Sequence, residues 1–383
     1  MPDRYHLLLL VDSFPVPEAP AGLLSDRLPW RLDPELFATE LAVVHDSPPL
    51  TATAVPALPV HTLGLRHGAW TPAVIQRLAV RRLLRRLQPD YLCTVGASAR
   101  LLGLPAAHAL DIPLRLSLID NLGEDLTPAS LTALRMAGRH ATRFVVDSYA
   151  AARRLMRQER VDRARIDIIP PGVDYSRFPH RTVESVIEAK HALGLSRQQP
   201  LVVMAISSGQ HQDCVRFVHV AAQLIRHQPD ARFVLIGTMS REHITATKRE
   251  IQTRHLSERL QLIDSPESLP LWLQAADVGV STSHLESASR PLLLYMATGL
   301  PIVAVDAGGN RELITHGESG YLCDLADLDQ LAMYIMVFLL SPEQSARIGA
   351  TARHRAETEF PLSRATGAYE DYFRTLAYAV LSR

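Results

Sequence analysis

Apolar residues along this chain gather in short unbroken runs, and the segments between the runs carry helical periods. Residues 6–11, 40–45, 91–95, 114–119, 144–146 and 166–169 are the runs of the first half. Residues 201–206, 231–236, 260–263, 277–280 and 301–305 are those of the second. Apolar runs without alternation are expected of strands in a parallel sheet, which is covered on both faces. Strand and helix alternating over two stretches of roughly 170–180 residues predict two α/β domains with parallel sheets.

The clearest helical period is 72–87. Ile75, Leu78, Ala79, Leu83 and Leu87 fall near one face, with Arg77, Arg81, Arg82, Arg85 and Arg86 mostly elsewhere. An ordinary surface helix of an α/β domain is the preferred reading. The alternative is a basic amphipathic helix resting on an anionic membrane, a peripheral contact. Asp147-Ser148 caps a helix through about Gln158, because a short oxygen side chain satisfies free N–H groups. Residues 332–340 are apolar but too few to span a bilayer, so they predict a core-facing helix. The proline-rich stretch 47–59 excludes regular helix or central strand there.

Composition narrows the class. Hydrophobic residues make up 47% of the 383, which suits a folded chain of about two domains. Lys+Arg and Asp+Glu both number 40, so no basic field argues for nucleic acid. Cys93, Cys214 and Cys323 show no paired spacing, which fits a reducing compartment and no zinc site. The opening MPDRYHLLLLVDSF is too short an apolar run for a leader or a membrane helix, so a cytoplasmic location is expected. His191, His211, His219 and His227 lack ligand spacing, and no Asp-x-Asp loop stands ready for Mg²⁺. No metal or other cofactor is expected.

The chain is organised around residues 283–322, SHLESASRPLLLYMATGLPIVAVDAGGNRELITHGESGYL. Pro291 helps to start a helix, where its missing N–H costs nothing. Gly299 ends that helix by accepting a left-handed backbone. Residues 301–305 read as a buried strand, and Gly308-Gly309 turns the chain into a short helix from Asn310. Two helix N-termini then aim at the carboxyl edge of a parallel sheet, where free N–H groups and the helix dipole favour an anion. Glu286 adds a carboxylate able to accept from sugar hydroxyls. The physical reading is an anion-and-polyol pocket.

The same stretch resembles the donor-binding segment of the retaining glycosyltransferases of family four, which have the GT-B fold. Glu286, Pro291, Met296-Ala297, Gly299, Pro301, Gly308-Gly309, Glu312, Gly317 and Gly320 match its pattern in order. PGVD at 171–174 with Phe178 resembles the family's passage between domains, with Pro171 where the family has Asn. The resemblance implies two Rossmann-like domains facing across a cleft. The acceptor-side domain would be 1–178, with helix 364–383 packed back on it, and the donor-binding domain 179–363. It implies a nucleotide-sugar donor as substrate and a glycan, lipid-linked or small-molecule acceptor. Glu286 would hold the sugar hydroxyls. Asp120 fits the second place of a His-Asp pair near the reacting sugar, with Ile119 in the first. Ser208, Gly209, Arg290, Pro291, Leu292, Gly308, Gly309, Asn310, Arg311 and Glu312 would line the donor.

Two departures stand out. The second glutamate of the motif, which receives the donor ribose in the family, is Leu294 here. The Arg and Lys that clamp the diphosphate are not evident: Ser207-Ser208 and Asp213-Cys214 lie near their places. Arg290 is the better replacement, with Arg311 second, since a guanidinium can grip a phosphate bidentately. The chain thus reads as a hexosyltransferase. The alternative is a catalytically impaired relative serving as partner of an active transferase.

Overall fold

The computed structural model describes residues 4–13, 28–30, 32–45, 58–65, 73–119, 127–206, 211–237, 239–264, 268–284 and 288–381. These fall into two units. One holds the residues up to Pro171 together with those from Ser363 onward, and the other is Gly172–Leu362.

In the first unit, β1 (Tyr5–Val11), β2 (Phe37–His45), β3 (Val60–Leu65), β4 (Tyr91–Val95), β5 (Leu114–Ile119), β6 (Arg143–Val146) and β7 (Ile166–Ile168) form one sheet. Its order is β3-β2-β1-β4-β5-β6-β7, and every described pairing is parallel. The flanking helices are α1 (Ala73–Leu87), α2 (Ala97–His108), α3 (Pro128–Gly138) and α4 (Tyr149–Glu159). Alternation hidden in the apolar runs reappears in space, as the pleat requires. Leu7 and Leu9, with Tyr91 and Cys93, face the chain's last helix, which packs through Tyr369 and Phe373. Leu8, Leu10 and Leu92 face α1 and α2. The Tyr91 hydroxyl fastens the last helix by donating to the Phe373 carbonyl at 2.6 Å. At the start of α4 the Ser148 hydroxyl accepts the Ala151 N–H at 3.1 Å, the cap read from the sequence.

Two differences from the sequence reading concern this unit. β3 is an edge strand, and edge position leaves it without the two-faced apolar run that marks its neighbours. The buried face of α1 is also rotated. Val80, Leu83 and Leu84 are buried, whereas Ile75 and Leu78 are 52% and 47% exposed, with Val74 at 64%. The helix lies against α2 and β3, and these neighbours select the stripe that is covered.

In the second unit, β8 (Leu201–Ala205), β9 (Arg232–Ile236), β10 (Leu260–Ile263), β11 (Val278–Ser281), β12 (Ile302–Val305) and β13 (Tyr321–Cys323) form a parallel sheet of order β10-β9-β8-β11-β12-β13. Its helices are α5 (Val183–Ala192), α6 (His211–Leu224), α7 (Arg241–Thr253), α8 (Leu269–Ala275), α9 (Arg290–Thr298), α10 (Asn310–Leu313), α11 (Leu328–Leu340) and α12 (Pro342–Glu359). The last helix, α13 (Leu362–Leu381), is the one that packs in the first unit. Val203, Ala205, Ile302 and Ala304 face α9, while Val202, Met204, Val303 and Val305 face α6 and α11. Strand order reverses between β8 and β11, which makes their carboxyl ends a topological switch point.

α9 is fixed at its far end. Gly299 stops it at φ 71°, and the buried Arg353 of α12 donates to the Ala297 carbonyl there and to the Phe178 carbonyl at 2.7 Å. A cation at a helix C-terminus meets the negative end of the dipole. Among the described residues, no helix is long and apolar enough to cross a membrane.

Candidate functional site

The carboxyl ends of β8, β11 and β12 each release the chain toward a helix: α6, α9 and α10 in turn. The first N–H groups of a helix lack partners within it, so the switch point is bordered by donors. The loops immediately after β8 and β11 hold Ser208, Gly209 and Glu286, which lie outside the described residues, as does Asp120.

At α9 the proline stands in the first turn, and the Ser289 cap makes no side-chain bond. The Ser289 hydroxyl is buried without a partner among the described residues. Pro291 and Leu292 are buried, so their side chains belong to the core and only their main chain can meet a ligand. Arg290 is half-buried, and its guanidinium makes no hydrogen bond or ion pair among the described residues. Leu294 is buried in the same helix and offers nothing to a ribose hydroxyl.

A charged cluster joins α6 to the end of β11. Arg216 Nη1 donates to Asp213 Oδ1 at 2.7 Å. His284 Nδ1 lies 3.4 Å from the same oxygen and 3.4 Å from Arg216 Nη1. The Thr282 hydroxyl donates to the Asp213 carbonyl at 2.8 Å. Burial raises the Asp213 carboxyl above its ordinary value, against the downward pull of Ser283, His284 and Arg216. The cluster ties the first turn of α6 across the switch point, and it occupies the Arg216 cation.

Beyond β12, Gly308 takes φ 55° and Gly309 leads into α10. Asn310 is fully buried; its amide donates to the Val305 carbonyl at 2.9 Å and toward that of Ser283 at 3.4 Å. Its Oδ1 is buried without a partner among the described residues. Arg311 Nε donates to Asp306 Oδ1 at 2.6 Å, and Arg311 Nη2 bonds Asp306 Oδ2. Arg311 is therefore held by a carboxylate at the surface, unlike Arg290. Glu312 is half-buried, and its carbonyl accepts from Arg355 Nη2 at 3.2 Å.

The structure thus brings Arg290, Pro291 and Leu292 to the carboxyl end of β11, and Gly308 to Glu312 to that of β12. The Asp213–Arg216–His284 cluster was not legible from spacing, because its members come from separate segments. Tyr295 was a signal passed over: it is a large residue where the resembling motif has alanine. Among the described residues, no group of three or more His, Cys, Asp or Glu is placed to hold a metal ion.

Comparison with known proteins agrees with this architecture. The family model for Glycosyltransferase Family 4 matches residues 33–177, and that for Glycosyl transferases group 1 matches 186–355. The UDP-Gal:alpha-D-GlcNAc-diphosphoundecaprenol alpha-1,3-galactosyltransferase of Escherichia coli is 25% identical over 261 residues, 66% of this chain and 67% of that one. The D-inositol 3-phosphate glycosyltransferase of Streptomyces scabiei is 26% identical over 274 residues, 67% of this chain but only 59% of that relative's length. The crystal structure of Anabaena HepE in complex with UDP-glucose superposes with a TM-score of 0.77 at 20% identity, covering 96% of this chain and 99% of HepE. With both halves matched by its models and the switch point built as described, the chain belongs to glycosyltransferase family four and has the GT-B fold.

Proposed function

We propose that the protein transfers a hexose-type sugar, with retention, from a nucleoside-diphosphate donor held at the carboxyl edge of the second sheet. The observation that carries this reading is Arg290 at the start of α9, beside the switch point, with no hydrogen bond or ion pair among the described residues. Departure of the diphosphate builds negative charge where the helix N–H groups and this guanidinium stand. Arg290 takes the place of the family's missing clamp, and a bidentate grip suits it to phosphate oxygens. Glu286 holds sugar hydroxyls. Retention needs the donor phosphate to guide departure and attack on one face.

Uridine is the favoured base, because the Escherichia coli relative is named for UDP-galactose and HepE was crystallised with UDP-glucose. Leu294 leaves the ribose without its usual carboxylate, so main-chain groups recognise it. The test is a thermal-shift panel of uridine, guanosine, adenosine and thymidine diphosphate sugars, with product anomers assigned by NMR. A ligand bound only by the folded state raises the midpoint. A UDP-sugar should do so and yield a retained product. A flat response to every donor, with no nucleoside diphosphate released, overturns the reading. The alternative of a non-catalytic partner subunit draws no support from the relatives, which are named as transferases.

A lipid-linked acceptor met at a membrane surface is favoured by α1. Its exposed Val74, Ile75 and Leu78 lie beside the exposed Arg77, Arg81, Arg82, Arg85 and Arg86, and the helix carries no acidic residue. Such a surface fits an anionic bilayer, with the apolar trio inserted and the arginines at the headgroups.

A further inference from the structure

A cavity of about 610 Å³ opens in the second unit at the other edge of its sheet. Pro200, Asp277 and Pro301 line it, and each immediately precedes a strand: β8, β11 and β12. The site of the proposed transfer lies at the carboxyl ends of these same strands, so the cavity is a separate place. α5 with the residues just before it, the stretch before β8, the end of α9 and the corner between α11 and α12 supply the remaining walls. Its volume is within the range of small-molecule sites.

Its charges do not balance. Arg181, Lys190 and Arg197 line the cavity together with one carboxylate, Asp277. That carboxylate is already engaged. Lys190 Nζ donates to Asp277 Oδ2 at 2.8 Å, and the Leu201 N–H donates to the same oxygen at 2.7 Å. Lys190 is 3% exposed and also donates to the Gln199 carbonyl at 2.9 Å, so this pair is an internal strut. Arg181 donates one N–H to the Ala276 carbonyl, yet its Nε is buried with no acceptor among the described residues. Burial pulls the Arg181 guanidinium down to about 10, with Asp277 only partly opposing. Arg197 is exposed and has no ion pair among the described residues. A partly buried cation whose nearest carboxylate is already engaged by Lys190 and a backbone N–H is costly, and an anion placed beside it relieves that cost.

His180, Thr182, Gln198, Thr298 and Ser345 add polar groups to the wall, but most of the remaining lining is hydrocarbon. Val186, Ile187, Pro301, Phe338 and Leu339 surround the cations. A bare inorganic ion would leave these surfaces wet, and a neutral apolar molecule would leave the guanidinium unanswered. We propose that this cavity binds a small amphiphilic anion, free in solution, with its acidic head on Arg181 and Arg197 and its hydrocarbon body along Ile187 and Phe338.

The test is isothermal titration of the full chain with octyl phosphate, octanol and inorganic phosphate. Octyl phosphate should bind at least tenfold more tightly than either of the others, and should bind equally well when UDP is present. Arg181→Met should weaken it at least tenfold. Should that variant fail to fold, two surface changes decide. Arg197→Ala should weaken binding several-fold, and Ala346→Trp, at an exposed wall position, should abolish it by filling the space. Equal affinity for octanol, competition by UDP, or full binding by Ala346→Trp overturns the proposal. None of these outcomes depends on whether the donor site turns over.

Discussion

The ring of Tyr295 lies on the main chain of Gly279: a Cβ at Gly279 would come within 2.7 Å of it. The Tyr295 hydroxyl accepts the Ala205 N–H at 2.6 Å and donates to the Val280 carbonyl at 3.1 Å. One side chain of α9 thereby bonds both strands of the switch point, and α9 begins with Arg290. Tyr295→Phe keeps the shape but strands a buried N–H, which costs about 1–3 kcal/mol. Gly279→Ala overpacks the same contact, by about 1–3 kcal/mol. Urea unfolding measures both; midpoints equal to wild type would show that the contact does not hold the helix.

Arg290 and Arg311 separate the two replacements for the diphosphate clamp. Removing a preorganised donor to a developing anion lowers kcat by roughly 10²–10³. Arg290→Ala should show that loss with nucleotide-sugar donor, and Arg290→Lys should recover only part of it, because an ammonium lacks the bidentate fork. Arg311→Ala breaks a surface pair and should leave turnover near wild type and stability within about 0.5 kcal/mol. Equal effects at the two positions would refute the assignment of Arg290.

The membrane reading of α1 is tested with vesicles. The protein should sediment with anionic phosphatidylserine vesicles and much less with phosphatidylcholine alone. Charge reversal at Arg85 and Arg86 should weaken this by about 1 kcal/mol per arginine removed from the surface. Changing Val74, Ile75 and Leu78 to serine should also weaken it without loss of fold, since all three side chains are exposed. No sedimentation even at low salt, where screening is least, removes this reading.

Thiol ionisation sets a pH limit. Burial chiefly, with Asp327, Asp324 and Asp306 adding to it, pushes the Cys323 thiol from 9.0 up to about 12. Burial raises Cys93 as well. Above pH 9 the unfolded chain loses these protons while the folded chain keeps them. Folding stability therefore falls as pH rises from about 9 toward 12. Denaturant titrations at pH 8 and pH 10.5 should show the fall, and a Cys93→Ala, Cys323→Ala variant should show less of it. Unchanged slopes in that variant would contradict the shifts. Both thiols should also resist iodoacetamide at pH 8.5 until the protein unfolds, because only the thiolate reacts.

The sequence by itself determined the two α/β halves and their parallel strands, because unbroken runs such as 6–11 and 201–206 can only be buried on both faces. It also determined the turn chemistry of the donor segment. Pro291 and Gly299 bound α9, and Gly308-Gly309 leads into α10, through backbone preferences that are local. Neighbours distant in the chain decided the rest. The stripes of α1 overlap in sequence, and only packing against α2 and β3 covers Val80, Leu83 and Leu84 while exposing Ile75 and Leu78. Arg290 and Arg311 look alike as loop arginines, yet Asp306 holds Arg311, whereas Arg290 has no partner among the described residues. Asp213, Arg216 and His284 become a cluster only when β8 and β11 pair and bring the first turn of α6 to the end of β11. Local backbone preference is written residue by residue, whereas charge pairing and face selection depend on which surfaces the folded sheet brings into contact.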